Sequence, residues 1–236
     1  MKKIIITLFC LALYTQIKAQ VFVQDFNQST VLKDYVKKKS PGAHQFNIAE
    51  ADGEGKVNIV NGKLRLSKIG PGGRPYLVRN TPLAIPSQFL SFTFKIDISA
   101  EGDATAFLAL GSGFSYDALP DSVSKNTVRL LFKLLPKGFI IRNTNQAQDG
   151  PNKYTGEQEI QWFVNRSGKT QTYTAPDGSE QTVAADRWDL WVGKTKEFDE
   201  AGFTNTKQPI TDFKFSFLSS QGQILLDDLS VKDLGK

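Results

Sequence analysis

Residues 90–98 read LSFTFKIDI, and this stretch decides the fold class. Leu90, Phe92, Phe94, Ile96 and Ile98 alternate with polar or charged residues. A period of two is typical of a β-strand that buries one face and exposes the other. A second run, at residues 213–217, repeats the pattern with three phenylalanines. No helical periodicity of comparable length occurs, and a turn or two around residues 31–37 is the best helical candidate. The two runs predict an all-β protein.

Turn residues around these runs agree with that prediction. Asn61 and Gly62 separate VNIV from KLRL, and the sequence PDG at residues 176–178 separates TQTYTA from SEQTVA. Asn and Gly adopt the positive φ angles that tight hairpins require, so two hairpins are predicted here. Further strands are expected at residues 21–26, 75–79, 105–110, 128–135, 138–142, 159–165, 187–192 and 224–232. About a dozen short strands favour a sandwich or a barrel.

Polar stretches at residues 112–126, 143–156 and 194–208 are predicted to be long loops, where function tends to lie. No internal repeat or Pro/Gly/Ser-rich linker divides the chain. Residues 20–236 are therefore predicted to form one β-sandwich domain, a length that buries a substantial core.

The first 19 residues have the layout of a cleaved signal peptide. Lys2 and Lys3 precede an apolar run at residues 4–14, and Ala19 follows a short polar stretch. The run is shorter than the roughly 20 apolar residues that span a bilayer, and no later segment approaches that length, so no transmembrane segment is expected. A secreted or periplasmic protein is predicted.

Removing residues 1–19 changes the charge and the thiol content. The whole chain carries a net charge of +5, but without Lys2, Lys3 and Lys18 there are 26 basic and 24 acidic residues, a net charge of +2. This balance argues against a nucleic-acid partner. Cys10, the only cysteine, lies in the same segment. Disulfides and thiolate metal sites are thereby excluded from the mature chain.

Several segments together resemble a known family. VFVQDFN at residues 21–27, VNGKLRL at 60–66, SFTFKIDIS at 91–99, WFVNRSGKTQTYTAPDGSEQTVAADRWDLWVG at 162–193 and ILLDDLSV at 224–231 are similar to secreted concanavalin A-like or laminin-G-like domains of Bacteroidota-type bacteria. The resemblance covers most of the mature chain and implies a two-sheet antiparallel jelly-roll sandwich. Such domains commonly bind sugars, and some are glycosidases or polysaccharide lyases, so the resemblance does not choose between binding and catalysis.

Catalysis requires groups that exchange protons, and the candidates are few. His44 is the only histidine, and no nucleophile motif accompanies it. Glu157 and Glu159 are two residues apart and share a strand face, as the carboxylate pair of a retaining glycosidase does. Laminarinase-like enzymes of this fold carry an E-x-D-x-E strand, whereas this chain has Gln161 at the third acidic position. The pair is thus an incomplete catalytic set, and a non-enzymatic role is favoured.

Aromatic side chains are the next candidates, because sugar rings stack on exposed aromatic planes. Trp162 and Trp188 alternate with aliphatic residues and are predicted to lie in the core. Trp191 instead shares its face with Arg187 and Asp189, which makes these three residues the predicted ligand-binding group. A tryptophan packed under a loop is the competing interpretation. Tyr116 and Tyr154, in long polar loops, are additional candidates.

Two acids suggest a structural metal. Asp25 shares strand parity with Val21 and Val23, and Asp227 shares it with Leu225, Leu229 and Val231, so both are predicted to face inward. An inward carboxylate requires a partner or a metal ion. Jelly-roll carbohydrate-binding modules, which the chain resembles, often hold calcium between an early and a final strand. The resemblance therefore implies a structural calcium at Asp25 and Asp227, and no other cofactor is expected.

Three hypotheses follow for function. The favoured one is a secreted carbohydrate-binding or adhesion-type sandwich that recognises a polysaccharide. The second is a polysaccharide-degrading glycosidase or lyase that uses Glu157 and Glu159. The third is a non-catalytic protein-interaction domain of the cell envelope.

Overall fold

A computed structural model describes residues 20–68, 70, 72–100, 102–219 and 221–235. Two antiparallel sheets pack face to face, and a separate hairpin lies against one of them. The predicted all-β, two-sheet antiparallel sandwich is confirmed. The predicted signal peptide, residues 1–19, lies outside the described residues and stays a prediction. In the described part of the chain, no helix is long and apolar enough to cross a membrane.

The strands are numbered β1–β17 in chain order. Sheet A has the order β15-β14-β11-β6-β17-β4-β3, with β1 also paired to β17. Its members are β1 Gln20–Gln24, β3 Gly55–Val60, β4 Lys63–Lys68, β6 Phe89–Ala100, β11 Gln158–Asn165, β14 Arg187–Val192, β15 Thr195–Gly202 and β17 Gly222–Asp233.

Sheet B has the order β10-β9-β8-β7-β16-β5-β2. Its members are β2 Ile48–Asp52, β5 Arg74–Arg79, β7 Ala104–Gly111, β8 Asn126–Leu135, β9 Gly138–Asn143, β10 Gln148–Asp149 and β16 Asp212–Ser219. The separate hairpin consists of β12 Gln171–Thr174 and β13 Glu180–Val183.

The core lies between the inner faces of the two sheets. Leu90, Phe92, Phe94, Ile96 and Ile98 of β6 all point into it and are buried. Trp162 on β11 and Trp188 on β14 join them, with ring centroids 5.6 Å apart in an edge-on arrangement. The period-two pattern and the prediction of both tryptophans as core residues are confirmed.

Local turn chemistry also behaves as predicted. Asn61 and Gly62 join β3 to β4 with φ angles of 51° and 71°, as a two-residue hairpin of mirror-image type requires. The β12–β13 hairpin turns at Gly178, with a φ of 88°. The helical candidate at residues 31–37 is a single 3-10 turn, Leu32–Tyr35.

The prediction of a loop throughout residues 194–208 is wrong in part, because Thr195–Gly202 form β15. This segment reads TKEFDEAG, which carries no clear alternation. Its pairing with β14 is interrupted by β-bulges, and each bulge changes which residues of β15 face inward. Phe198 and Ala201 are nevertheless buried against the core.

Residues between β7 and β8 fold over the outer face of sheet B. Phe114 and Ala118 from this segment pack on Tyr76, Val78 and Phe107. Beneath the segment, the β16 residues Lys214 and Ser216 are fully buried, although their alternation with phenylalanine predicts an exposed face. Burial on both faces of β16 follows from this covering segment.

Asp25 and Asp227 do not face the core, so the inward orientation predicted for them is wrong. In β1 the buried residues are Phe22 and Gln24, which leaves Asp25 on the other parity. In β17 the buried hydrophobic residues are Ile224, Leu226, Leu229 and Val231. The change of phase after Leu226 comes from a β-bulge between Asp227 and Ser230, where Asp228 has a φ of 49°.

Candidate functional site

The outer face of sheet A is divided into a covered half and an open half. The β12–β13 hairpin covers the half formed by β11 and β14, where Phe163 and Trp191 pack against Tyr173, Ala175 and Val183. Trp191 is only 3% exposed. The interpretation of Trp191 as a surface stacking ring therefore needs correction, because this ring is packed under the hairpin.

Asp189 belongs to the same buried cluster. Its carboxylate accepts hydrogen bonds from the Tyr173 hydroxyl and from the Glu200 backbone N–H at 2.7 Å, and Lys196 Nζ lies 2.9 Å away. Trp191 Nε1 donates to the Tyr173 hydroxyl at 3.0 Å. Burial, reinforced by the bond to Asp189, raises the pKa of Tyr173. The cluster fixes the hairpin on the sheet.

Arg187, the third member of the predicted group, differs from Trp191 and Asp189 because its side chain is exposed to solvent. It is the first residue of β14 and is exposed, whereas Asp189 is fully buried. The structure therefore does not bring Trp191, Arg187 and Asp189 together on one open surface.

Tyr154 and Tyr116 have different environments. Tyr154 packs on Phe139 with ring centroids 5.7 Å apart and donates its hydroxyl hydrogen to the buried Glu197. Tyr116 is 37% exposed and is the only aromatic residue among the exposed large hydrophobic residues in the described ranges. Lys38 Nζ lies 5.8 Å from its ring centroid, and its hydroxyl donates to Asn80 Oδ1. Tyr116 stays a predicted stacking residue for a sugar ring. Tyr154 instead packs against the core and bonds the buried Glu197.

The open half of sheet A carries a row of alternating charges. In the strand register, Glu159 on β11 lies opposite Lys95 on β6, and Lys95 lies opposite Asp227 on β17. Lys63 on β4 precedes Leu64, the partner of Leu226, and therefore lies beside Asp227. Adjacent strands are about 4.8 Å apart, so the row extends across four strands as acceptor, donor, acceptor and donor.

Flanking rows extend this polar surface. On one side, Gln161 pairs with Thr93 and Thr93 with Ser230. On the other side, Glu157 precedes β11 beside Asp97, and Leu225 pairs with both Asp97 and Arg65. We call these three rows the polar face: Lys63, Arg65, Thr93, Lys95, Asp97, Glu157, Glu159, Gln161, Leu225, Asp227 and Ser230. All eleven are at least partly exposed.

Salt bridges orient three charged groups of the polar face, Lys63, Lys95 and Glu157. Lys95 Nζ lies 2.8 Å from Asp228 Oδ2, and Lys63 pairs with Glu157. Gln161 Nε2 donates to Glu159 Oε1 at 2.5 Å. Glu157 and Glu159 thus lie on one open face, as predicted, and each has a polar partner. A catalytic role for Glu157 and Glu159 stays a prediction.

Asp227 lies among charged groups of both signs on the polar face. Burial raises its pKa, and the neighbouring Asp228 carboxylate acts in the same direction. The backbone N–H of Asp228 and the charges of Lys63 and Lys95 oppose these effects without cancelling them. Asp227 therefore takes up a proton more readily than an ordinary aspartate.

The predicted calcium ligands lie near the end of the β1–β17 ladder. Gln24 of β1 is opposite Leu229 of β17; Asp25 follows Gln24, and Asp227 lies two residues before Leu229, on the same side of this pair. Asp25 accepts from the Asn27 N–H at 3.2 Å, and Asp227 accepts from the Asp228 N–H at 2.8 Å. Within the described ranges, no group of three or more His, Cys, Asp or Glu side chains is arranged to hold a metal. Calcium at this position stays a prediction.

Lys63, Lys95 and Gln161 are site residues that sequence reasoning missed. The alternation in residues 90–98 does place Lys95 and Asp97 on the exposed face, and the parity of Glu157, Glu159 and Gln161 does the same for β11. The missing information is the order of the strands, because β4, β6, β11 and β17 are distant in sequence.

Comparisons with known proteins support the fold. No protein-family model matches the chain, and no curated protein matches it by sequence. Among solved structures, the chain is similar to a carbohydrate esterase from the Shiga toxin-encoding bacteriophage phi24B, at a TM-score of 0.55 and 10% identity, covering 92% of this chain and 99% of that one.

A sialidase matches at a TM-score of 0.53 and 10% identity over 77% of this chain, which spans only 16% of the sialidase. The lectin UEA-II, complexed with galactose, matches at a TM-score of 0.50 and 12% identity, covering 78% of this chain and 91% of that one. At these identities the likeness concerns the fold alone.

Proposed function

We propose that this protein is an exported, non-catalytic carbohydrate-binding sandwich that binds a polysaccharide on the polar face. The observation that carries the proposal is the row Glu159, Lys95, Asp227 and Lys63, which alternates acceptors and donors across four strands. A sugar ring carries several hydroxyl groups that both donate and accept, so neighbouring carboxylates and ammonium groups bind it in pairs.

Two further observations support this choice of surface. The hairpin covers one half of the outer face of sheet A, and the segment between β7 and β8 covers part of sheet B, while the polar face stays accessible. Salt bridges orient Lys95 and Lys63 before any ligand arrives, which lowers the conformational entropy lost on binding. Similar solved structures include a lectin complexed with galactose and a carbohydrate esterase, which agrees with a sugar ligand.

Lys95→Met tests the proposal, because methionine keeps a long side chain and removes the charged donor. A hydrogen bond to a charged group contributes about 1.5–3 kcal/mol. We therefore expect the variant to bind its polysaccharide roughly tenfold or more weakly. A glycan array identifies the ligand, and affinity gel electrophoresis measures the change.

Lys133→Met is the matched control for that experiment. Lys133 lies on sheet B, pairs with Asp149 at 2.7 Å and has a side chain 34% exposed, against 37% for Lys95. The control is expected to bind like the wild type. The proposal fails if no polysaccharide binds, or if both variants lose the same affinity.

Acidic pH is expected to weaken binding through Asp227. Its raised pKa means that this carboxylate is protonated at a higher pH than an ordinary aspartate, whose pKa is about 3.9. Protonation replaces a charged acceptor with a neutral one. Isothermal titration between about pH 7 and about pH 4 measures the effect.

Asp227→Asn is the comparison for the pH series. It should bind more weakly at neutral pH and show less pH dependence than the wild type. An unchanged pH dependence in Asp227→Asn contradicts the role assigned to this residue.

A further inference from the structure

A cleft of about 510 Å³ opens where the edge strand of each sheet meets the other, between β2 and β3. Its walls come from both strands, from β4 and from the 3-10 turn: Leu32, Ala49, Glu50, Ala51, Gly55, Lys56, Val57, Asn58 and Arg65. Ligand-binding clefts typically measure about 300–1,000 Å³, so this space suits a molecule of one or two sugar rings. Arg65 also belongs to the polar face, which makes the cleft continuous with it.

The polar groups of the cleft are mainly donors. Arg65 Nε donates to Asn58 Oδ1 at 3.0 Å, which orients the guanidinium. Within the described ranges, the terminal nitrogens of Arg65 make no hydrogen bond or ion pair, and Lys56 is exposed without a partner. A guanidinium fixed through Nε presents its two terminal nitrogens in the fork geometry that matches a carboxylate.

Glu50 is the acidic residue among the lining residues, and its carboxylate is turned away from these cations. It accepts a hydrogen bond at 2.5 Å from the hydroxyl of Tyr76. Tyr76 packs with Ile48 and Phe107 on the outer face of sheet B. This contact holds the negative charge of Glu50 on the opposite side of the β2 strand from Ala49 and Ala51, which alternate with it.

Charge is distributed unevenly from the polar face to the cleft. The acids Glu157, Glu159, Asp97 and Asp227 lie on β6, β17 and at β11, while the cations on the outer face of β3 and β4 are Lys56, Lys63 and Arg65. Lys63 is already paired with Glu157. The unpaired positive charge is therefore concentrated at the cleft, at one end of a surface that otherwise suits neutral hydroxyl groups.

We propose that the polysaccharide is acidic, and that the cleft binds the carboxylate of a uronic acid residue through Arg65, with Lys56 adding a second charge. This inference rests on the proposed function and specifies its ligand class. The apolar wall of Leu32, Ala51 and Val57 packs against the C–H face of the sugar ring. Neighbouring sugar residues extend along the polar face.

The test compares charged polysaccharides with neutral forms of the same backbones. Polygalacturonate, alginate and hyaluronan are each measured beside their methyl-esterified forms by isothermal titration in about 0.15 M salt, which screens long-range attraction. The wild type is expected to prefer one acidic polymer over its ester by roughly tenfold or more, the value of one charge-assisted contact. Arg65→Gln should abolish this preference, so that the variant binds the acidic polymer and its ester with equal affinity.

Arg142→Gln is the control, because Arg142 lies on sheet B and pairs with Asp149 at 3.0 Å. It should keep the preference for the acidic polymer. Dextran sulfate serves as a general polyanion, and equal binding of it with equal sensitivity to Arg65→Gln overturns the assignment to carboxylates. Equal binding of acid and ester with loss in Lys95→Met overturns the acidic ligand and leaves the proposed function standing. Absence of binding to every polysaccharide overturns both.

Discussion

Lys214→Met is expected to lower the free energy of unfolding by about 3 kcal/mol, the cost of removing one partner from a buried ion pair. Lys214 is fully buried, and its Nζ lies 2.9 Å from Asp121 Oδ2 and 2.7 Å from the Leu119 carbonyl oxygen. Asp117 and Ser115 complete its surroundings. Methionine fills most of the same volume but leaves these acceptors without their donor.

Lys214→Met should also loosen the segment between β7 and β8, in addition to lowering the overall stability. Burial alone raises the pKa of Asp121, but hydrogen bonds from Lys214, Lys125 and Ser115 outweigh it and hold that pKa below its ordinary value. Urea denaturation measures the stability, and limited proteolysis measures the opening of the segment between β7 and β8. Lys125→Met is the control: Lys125 also pairs with Asp121, at 2.9 Å, but is 39% exposed. An exposed pair contributes about 0–1 kcal/mol, so equal losses in the two variants contradict this account.

Asp189→Ala is expected to destabilise the protein by about 3–5 kcal/mol, because the carboxylate is fully buried and unites three elements. Its loss removes the acceptor for Tyr173 on the hairpin, for Lys196 and for the Glu200 N–H. Buried donors without acceptors are costly. The β12–β13 hairpin should exchange its amide hydrogens faster, which hydrogen-exchange mass spectrometry detects.

Arg187→Ala is the comparison, since Arg187 is on the same strand two residues away and is exposed. Its effect on stability should lie within about 0.5 kcal/mol. Together the two variants distinguish the structural role assigned to Asp189 from the exposed position of Arg187. Equal stability of Asp189→Ala and the wild type contradicts the structural role of Asp189.

Sequence patterns predicted features whose causes are local. The alternation in residues 90–98 gave the correct faces of β6 because side-chain direction depends only on position in the strand. Asn61 and Gly62 gave a hairpin because their φ preferences act within two residues.

Features that depend on distant segments were not predictable in the same way. Trp191 shares its face with charged residues, yet the hairpin formed by residues 171–183 covers it. Leu229 and Val231 lie on the opposite face from Asp227 because of a bulge where the partner of β17 changes from β4 to β1. Lys214 has the parity of an exposed residue, and only the folding of residues 113–121 over sheet B buries it.

The pairing of β1 with β17 determines how the fold responds to mechanical load. Gln20, the first residue of β1, lies opposite Lys232, near the end of β17, so the two strands leave their ladder at the same end. Tension between these positions breaks the hydrogen bonds one after another, as in unzipping, instead of shearing them together. Phe22 would be withdrawn early from its contacts with Phe46 and Phe213. Under traction the core is therefore expected to open first at this seam.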